Sequence, residues 1–376
     1  MGLTGDVVSP SLFSAGGNLY TILVPLDASP NPTIQCWMSA DGGLTWARQD
    51  QAGESILNLF WFDAASCTDG TKIYTVSNDP TDAFVQIAIF DTVTGLWSAA
   101  IVLANANITN AGLVPTGSRT AAYFDAPNNQ VICSSRSSAT TLDYFTFDVG
   151  TLTASAWINL LTYIPTLPTM NVGILQGVGF KFFVYGQTDT ATFTSYYYQA
   201  LSDVGVLSPR VLILTVPTVW EDQWASSDGA VFALAFATGS FTIEALQGTQ
   251  AGPVLTFGAG QTITMVGDVL SRPFTIQVES PNSGVSVFAA GTNLHNVTQY
   301  RSVAAGPFSA GTILGSLASD PWAMTSSTAV APWAMILSSG FPPTTLSFFW
   351  TPLAGPSSTQ VNVILGLKGM KVYPEL

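Results

Sequence analysis

One short stretch of the chain combines aromatic and acidic side chains in a way that suits sugar binding. It reads Trp220-Glu221-Asp222-Gln223-Trp224. Indole rings offer broad apolar faces to a sugar, and carboxylates accept hydrogen bonds from its hydroxyl groups. The run Tyr196-Tyr197-Tyr198 could serve similarly. We therefore predict Trp220, Glu221, Asp222 and Trp224 as ligand-binding residues. The alternative is that these aromatic residues pack between structural repeats.

Hydrolytic chemistry has few candidate residues in this sequence. Two carboxylates facing each other can cleave a glycosidic bond, and the acids considered for such a pair are Asp63, Glu221, Asp222 and Glu279. A Ser/His/Asp triad would have to use His295, because it is the only histidine, and no Gly-x-Ser-x-Gly motif is present. We assign no catalytic residue, and a glycoside hydrolase with an unrecognised carboxylate pair remains an alternative.

The cysteines do not indicate a metal site or a disulfide framework. Cys36, Cys67 and Cys133 are odd in number and far apart, and no C-x-x-C motif occurs. We predict three buried free thiols, since free cysteine is among the most buried residue types. No metal and no cofactor is expected.

Charge is scarce in this chain and predominantly acidic. Only 9% of the 376 residues are charged, with 23 Asp and Glu against 10 Lys and Arg, which gives a formal net charge of −13. This balance disfavours binding to nucleic-acid phosphates and to anionic membrane surfaces. A surface so poor in charge is either covered by uncharged polar residues or buried against partners. The second explanation indicates a component of a larger assembly.

No targeting or membrane segment is recognised. No run of about 18 apolar residues occurs, so membrane insertion is not expected. The first residues lack a basic region followed by an apolar one, so we expect no signal peptide and a cytoplasmic location at synthesis.

The elements that would position these residues are β-strands arranged in a repeat. Short runs rich in Val, Ile, Phe and Tyr alternate with turn residues. A turn followed by two strands recurs at Gly17, Gly70, Asn129, Gly179, Gly229, Gly284 and Pro332, with gaps of 53, 59, 50, 50, 55 and 48 residues. Propeller blades repeat at about 40–50 residues.

We therefore predict an all-β fold, a seven-bladed β-propeller with three to four antiparallel strands per blade. The whole chain, 1–376, would form one domain, and a two-sheet sandwich is the alternative. The predicted blades are 1–52, 53–110, 111–165, 166–215, 216–265, 266–318 and 319–376.

The best-formed hairpin of the repeat carries a recognisable motif. Ser39, Asp41, Gly43, Thr45 and Trp46 form Ser-x-Asp-x-Gly-x-Thr-Trp. This resembles the Asp-box of sialidase-like (BNR-repeat) β-propellers, where the motif is a structural turn away from the active site. The resemblance implies that Asp41 accepts hydrogen bonds from turn amides and that Trp46 is buried.

The same resemblance argues against sialidase activity. That family binds the substrate carboxylate with three arginines, the first of them before the first Asp-box. Here no arginine precedes Arg48, which follows the motif. The other arginines considered do not lie in the family's Arg-Ile-Pro pattern; they are Arg119, Arg136, Arg210, Arg272 and Arg301. No catalytic residue is carried over.

The expected function is that of a non-enzymatic propeller, a structural or interaction subunit of a larger assembly. The composition, rich in Ala, Ser, Thr and Gly and poor in Lys, resembles that of bacteriophage virion proteins of the tail, neck or fibre type. Expected partners are other protein subunits, either in a homo-oligomer or as neighbours in a virion. A glycan-binding propeller for host attachment is the alternative.

Overall fold

The structure is a computed structural model that describes most of the chain between residues 11 and 364. The described ranges are 11–23, 34–43, 45–49, 62–79, 84–104, 120–138, 141–162, 169–190, 193–216, 223–239, 241–265, 267–279, 284–303, 306–317, 321–327, 333–338, 345–350 and 359–364. The chain divides into two compact units. Unit 1 contains Met1–Met38, Arg48–Ile174 and Phe182–Glu221, and unit 2 contains Ser39–Ala47, Leu175–Lys181 and Asp222–Leu376.

The described strands form seven antiparallel sheets, each made from consecutive strands. Sheet 1 contains β1 (Ser11–Ala15), β2 (Asn18–Leu23), β3 (Gln35–Ser39) and β4 (Ala47–Arg48), and sheet 2 contains β5 (Phe62–Thr68), β6 (Lys72–Asp79), β7 (Phe84–Asp91), β8 (Leu96–Trp97) and β9 (Ile101–Ala104). Sheet 3 contains β10 (Ala121–Asp125), β11 (Gln130–Ser138), β12 (Thr141–Asp148), β13 (Thr153–Ala154) and β14 (Ile158–Thr162). Sheet 4 contains β15 (Thr169–Gln176), β16 (Phe180–Thr190), β17 (Phe193–Ser202) and β18 (Val211–Val216).

The remaining three sheets follow the same order. They are sheet 5, with β19 (Gln223–Ser227), β20 (Val231–Gly239), β21 (Thr242–Ala251), β22 (Val254–Phe257) and β23 (Gln261–Thr264); sheet 6, with β24 (Leu270–Glu279), β25 (Gly284–Gly291), β26 (Asn296–Ser302) and β27 (Thr312–Ser316); and sheet 7, with β28 (Pro321–Ser327), β29 (Trp333–Ser338), β30 (Thr345–Trp350) and β31 (Thr359–Ile364).

Every sheet has four strand positions, and in sheets 2, 3 and 5 the outermost position is broken into two short strands. In sheet 2, for example, β8 and β9 pair with opposite ends of β7. The predicted fold class, a seven-bladed propeller with three to four strands per blade, is wrong as stated, because no described sheet has only three strands. A fourth position covers the edge of the third strand, whose N–H and C=O groups would otherwise lack partners.

The first hairpin turn of sheets 1 to 5 lies where the sequence repeat places its anchor. The anchors between first and second strands are Gly17, Gly70, Asn129, Gly179 and Gly229. At Gly70 and Gly229 φ is +94° and +91°, in the left-handed region that glycine enters without a Cβ penalty. The periodic placement of turn residues is thus confirmed for these sheets.

Inner strands are buried on both faces, so neighbouring sheets must cover them. Val131 and Cys133 of β11 pack with residues of sheet 2, including Val85. Ile132, between them, packs with residues of sheet 4, including Tyr185. All eight residues of β25 are buried. Residues that alternate along a strand point to opposite faces, so each sheet contributes to two cores.

In four sheets a serine beside the outermost strand position forms two hydrogen bonds with one residue of the third strand. In each case its Oγ accepts a hydrogen bond from a third-strand N–H, while its own N–H donates to the carbonyl oxygen of the same residue. The pairs, with the distance from Oγ to that N, are Ser98 with Ile89 (3.1 Å), Ser155 with Thr146 (3.0 Å), Ser208 with Ala200 (2.8 Å) and Ser309 with Arg301 (3.0 Å). The hydroxyl therefore replaces a missing backbone carbonyl.

Sheet 5 has glycine in place of this serine, so the contribution of the hydroxyl to stability can be tested both by removing it and by adding it. Gly258 N–H donates to Gln247 O at 2.9 Å, and a Cβ at residue 258 would meet that oxygen at an ordinary 3.6 Å. We expect Ser155→Ala to lower the melting temperature, because the loss of one hydrogen bond costs about 1 kcal/mol. Gly258→Ser should raise it by supplying the missing acceptor. Thermal unfolding of both variants checks this, and unchanged melting in both would contradict it.

Candidate functional site

Most of the predicted sugar-binding stretch lies outside the described residues. This is the case for Trp220, Glu221 and Asp222. Trp224 lies on β19, where its backbone pairs opposite Ala235 of β20. The assignment of these residues to ligand binding stays a prediction.

The Asp-box hairpin has the geometry that its sequence implies. Asp41 Oδ1 accepts hydrogen bonds from Thr45 N–H at 2.8 Å and from Ser39 Oγ at 2.7 Å, and Asp41 Oδ2 accepts from Thr45 Oγ1 at 2.5 Å. Ser39 Oγ in turn accepts from Gly43 N–H at 2.7 Å. Trp46 is 4% exposed, and its Nε1 donates to Gly43 O at 3.0 Å. Both expectations for Asp41 and Trp46 are confirmed.

Aspartates organise the equivalent turns of the next two sheets as well. Asp91 Oδ1 accepts from the N–H groups of Val93 and Thr94, both at 2.9 Å. Asp148 Oδ1 accepts from Gly150 and Thr151 N–H at 2.9 and 2.7 Å. These backbone bonds lower the pKa of Asp91 and of Asp148. The carboxylates therefore stay charged well into the acidic range.

Glu279, one of the candidate acids for catalysis, is buried and forms an ion pair with the half-buried Arg301. Its side chain is 1% exposed, and Arg301 Nη2 lies 2.5 Å from Glu279 Oε2. Arg301 Nε donates to both carboxylate oxygens, at 3.0 and 2.8 Å, and Ser286 Oγ donates to Oε1. Gln299 Nε2 donates to Ser286 Oγ at 2.8 Å. This network joins the three inner strands of sheet 6, and we interpret it as structural.

Three further buried carboxylates also accept bonds from amide groups. Asp125 accepts from the side-chain amides of Asn128 and Gln130, and Asp143 accepts from Asn159 Nδ2 at 2.8 Å. Asp268 accepts from backbone N–H groups of the β25–β26 turn, including that of Asn293 at 2.8 Å. The remaining candidate acid, Asp63, lies on β5.

The tyrosine run is divided between the two faces of sheet 4. Tyr196 and Tyr198 are almost fully buried, whereas Tyr197 is half-buried on the opposite face. The guanidinium of Arg210 lies over the Tyr197 ring, 4.3 Å from its centroid. Arg210 Nη1 also donates to Gln187 Oε1 at 2.9 Å. Tyr197, Arg210 and Gln187 form an exposed polar and aromatic group that we call the Arg210 platform.

A buried pair of hydrogen bonds lies beside the Arg210 platform. Tyr185 OH donates to Gln199 Oε1 at 2.6 Å, and Gln199 Nε2 donates to Ser208 O at 3.2 Å. Burial raises the pKa of Tyr185 strongly, although the charge of Arg210 acts in the opposite direction. The phenol therefore stays protonated as a donor.

Sequence reasoning missed the Arg210 platform because its members are far apart in the chain. Arg210 precedes β18, and a register shift between Tyr196 and Tyr197 places Leu212 opposite Tyr197. The sequence Ser208-Pro209-Arg210 shows an arginine just before β18, but it does not indicate that Tyr197 and Gln187 lie beside it.

The three cysteines are buried and form no disulfide, as predicted. Burial, together with the nearby charge of Asp69, raises the pKa of the Cys67 thiol far above its ordinary value. Burial also raises the pKa of Cys133. Neither thiol forms the reactive thiolate at neutral pH.

The described ranges contain neither a metal-binding cluster nor a membrane-spanning helix. No three His, Cys, Asp or Glu side chains within them are grouped so that they could hold a metal ion. Nor do those ranges contain a helix with the length and apolar character needed to cross a membrane.

Comparison with solved structures places the chain among β-propellers. A putative 6-phosphogluconolactonase from Bacteroides fragilis aligns over 93% of this chain and 96% of its own, with a TM-score of 0.64 and 12% identity. The β-propeller domain of the Trilobed protease from Pyrococcus furiosus aligns over 95% and 96%, with a TM-score of 0.52 and 8% identity. The SapL1 lectin, solved with alpha methyl fucoside, aligns over 83% and 97%, with a TM-score of 0.52 and 13% identity. The chain has a β-propeller fold.

The resemblance to sialidases extends to distant structural similarity. The NanB sialidase from Streptococcus pneumoniae aligns over 76% of this chain and 65% of its own, with a TM-score of 0.50 and 10% identity. Such identities show the fold alone. No protein-family model matches the sequence, and no curated protein matches it either.

Asp41 provides a test of the Asp-box as a structural element. Burial alone would raise the pKa of Asp41, but hydrogen bonds from Thr45 and Ser39 lower it overall. We expect Asp41→Ala to destabilise the fold by about 1–2 kcal/mol, because several bonds are lost, and Asp41→Asn to cost less.

The contribution of the Asp41 charge should depend on pH. A lowered folded-state pKa gives stability that is present above the ordinary value near about 4 and is lost as pH falls through the folded value. Melting temperatures of the parent and of Asp41→Asn should therefore converge below about pH 4. A constant difference down to pH 2 would contradict this.

Removing one partner of the ion pair of Glu279 and Arg301 should have a larger effect. Arg301→Met leaves the Glu279 carboxylate buried without its cation, and we expect a cost of about 2–3 kcal/mol, below that of a fully buried pair because Arg301 is partly exposed to water. The double variant Glu279→Gln/Arg301→Met should recover part of that loss. Chemical denaturation of the single and double variants measures this coupling, and additive losses would show that the two residues do not act as a pair.

Proposed function

We propose that this chain is a non-enzymatic β-propeller that acts as an interaction subunit of a larger protein assembly, most specifically a virion. The observation that carries the proposal is a repeated exposure of aliphatic residues at one end of the sheets. Neighbouring protein subunits are the proposed partners.

The exposed aliphatic residues lie at the turn that links the third strand to the outermost strand in sheets 2 to 6. They are Val93 (85% exposed), Leu152 (48%), Val204 (86%), Val206 (65%), Val254 (49%) and Val303 (58%). Isolated exposed apolar residues are common on protein surfaces. The corresponding turn of each of these five sheets carries an exposed aliphatic residue, and this recurrence supports a shared role, because turns ordinarily favour Gly, Asn and Asp.

Hydrogen bonds also join turns of neighbouring sheets within each unit. In unit 1, Asn128 of sheet 3 donates from Nδ2 to Asp203 O of sheet 4 at 3.1 Å. In unit 2, Gln250 Nε2 donates to Val178 O at 2.9 Å, and Val178 N–H donates back to Gln250 Oε1 at 2.8 Å. These bonds fix the turns before any partner binds, which lowers the entropic cost of association.

The charge at this end indicates the chemistry of the partner. Asp91 and Asp148 keep their negative charge close to Val93 and Leu152, because backbone N–H groups lower their pKa. A partner surface that combines Lys or Arg with apolar residues would be complementary. The aspartates already accept bonds within their turns, so we interpret them as fold elements that also attract a partner.

Lysine substitutions at two exposed valines test the turn surface. We expect Val93→Lys/Val204→Lys to reduce incorporation of the chain into its native particle at least about tenfold, equivalent to about 1.4 kcal/mol, because lysine opposes a basic partner. Quantitative mass spectrometry of purified particles measures incorporation.

The matched control is Val102→Lys on β9, where the valine is 51% exposed but lies away from the turns. It should incorporate like the parent, and all variants should keep the parental melting temperature. Equal incorporation of the double variant, or absence of the parent chain from any particle, would contradict the proposal.

A further inference from the structure

We propose that the Arg210 platform of sheet 4 is a binding site for a saccharide that carries a carboxylate group. This is a ligand-binding function in addition to the proposed role in assembly, and it rests on separate residues.

The guanidinium of Arg210 is exposed but held in one orientation. It lies 4.3 Å from the centroid of the Tyr197 ring, and Nη1 donates to Gln187 Oε1 at 2.9 Å. The contact with the ring and the bond to Gln187 together restrict the orientation of the guanidinium. The other N–H groups of Arg210 donate to no atom of the described ranges, and a planar guanidinium suits a carboxylate through two parallel hydrogen bonds.

Groups suited to the rest of a sugar lie beside this cation. Leu212 is 53% exposed and pairs opposite Tyr197 between β17 and β18. Cross-strand partners lie on the same face of a sheet, so Leu212 offers an apolar surface next to the Tyr197 ring. The Gln187 amide adds an N–H donor for hydroxyl groups. The platform therefore combines an anion-binding group, an amide donor and an apolar contact.

The buried groups nearby do not need Arg210. Tyr185 OH is already bonded to Gln199, and Gln199 is bonded to the Ser208 carbonyl oxygen. Arg210 is one of only 10 basic residues in a chain with a net charge of −13. The buried hydrogen bonds are therefore complete without Arg210, and its guanidinium is exposed to a ligand at the surface.

A carboxylate-bearing saccharide uses more of the platform than the alternatives do. A neutral sugar would not form the charge-assisted pair of hydrogen bonds that a guanidinium makes with a carboxylate. An acidic peptide would engage Arg210 but would make little use of Gln187 and Leu212. A uronic or sialic acid residue brings a carboxylate, hydroxyl groups and an apolar ring face together.

Calorimetric titration of the full chain at low salt tests the proposal. The probes are tetragalacturonate, a hyaluronan tetrasaccharide and 3′-sialyllactose, with cellotetraose and lactose as neutral counterparts and tetraglutamate as an acidic peptide. We expect at least one carboxylate saccharide to bind with a Kd below about 1 mM and at least about tenfold more tightly than the neutral sugars and the peptide. Added salt should weaken that binding.

Variants assign the binding to this site. Arg210→Gln should weaken binding at least about tenfold, and Arg210→Lys should also weaken it, because lysine keeps the charge but loses the planar fork. Lys72→Gln removes an exposed cation in sheet 2 and should change nothing. Unaltered melting temperatures exclude misfolding. The proposal is overturned if no carboxylate saccharide binds, if tetraglutamate binds equally well, or if Arg210→Gln leaves binding unchanged.

Discussion

Burial of the inner strands on both faces is the constraint on which the rest of this structure depends. All eight residues of β25 are buried, and adjacent residues of β11 face different neighbouring sheets. A single four-stranded sheet of this composition would expose two apolar faces to water, so its stability comes from packing between sheets. The same constraint accounts for much of the low charge, since inner strands have few positions for ionised side chains.

Polar chemistry is consequently concentrated at the ends and outer edges of the sheets. Aspartates at the turns are used to organise backbone N–H groups, and serines at the outer strand replace missing carbonyl acceptors. Glu279 and Arg301 neutralise each other within sheet 6. Within the described ranges, the exposed aliphatic turn residues and the Arg210 platform are the surface features on which the two binding proposals rest.

Local signals in the sequence predicted the local structure well. The Asp-box bonds of Asp41, the burial of Trp46 and of the cysteines, and several anchor turns each depend on residues within a short stretch or on general burial preference. The prediction of three to four strands per blade left the fourth position open, because in sheet 2 that position consists of two short pieces, β8 and β9, which are recognisable only by their pairing with β7. The Arg210 platform was missed because it depends on a register shift between β17 and β18.

The most direct test of the interaction role is hydrogen exchange measured on the isolated chain and on the same chain within its native particle. Amide exchange reports the protection of individual backbone segments. We expect slower exchange in the particle at turns 92–95, 149–152 and 203–206, with the inner strands unchanged. Identical exchange at these turns in both states, in a chain that is present in the particle, would contradict the account.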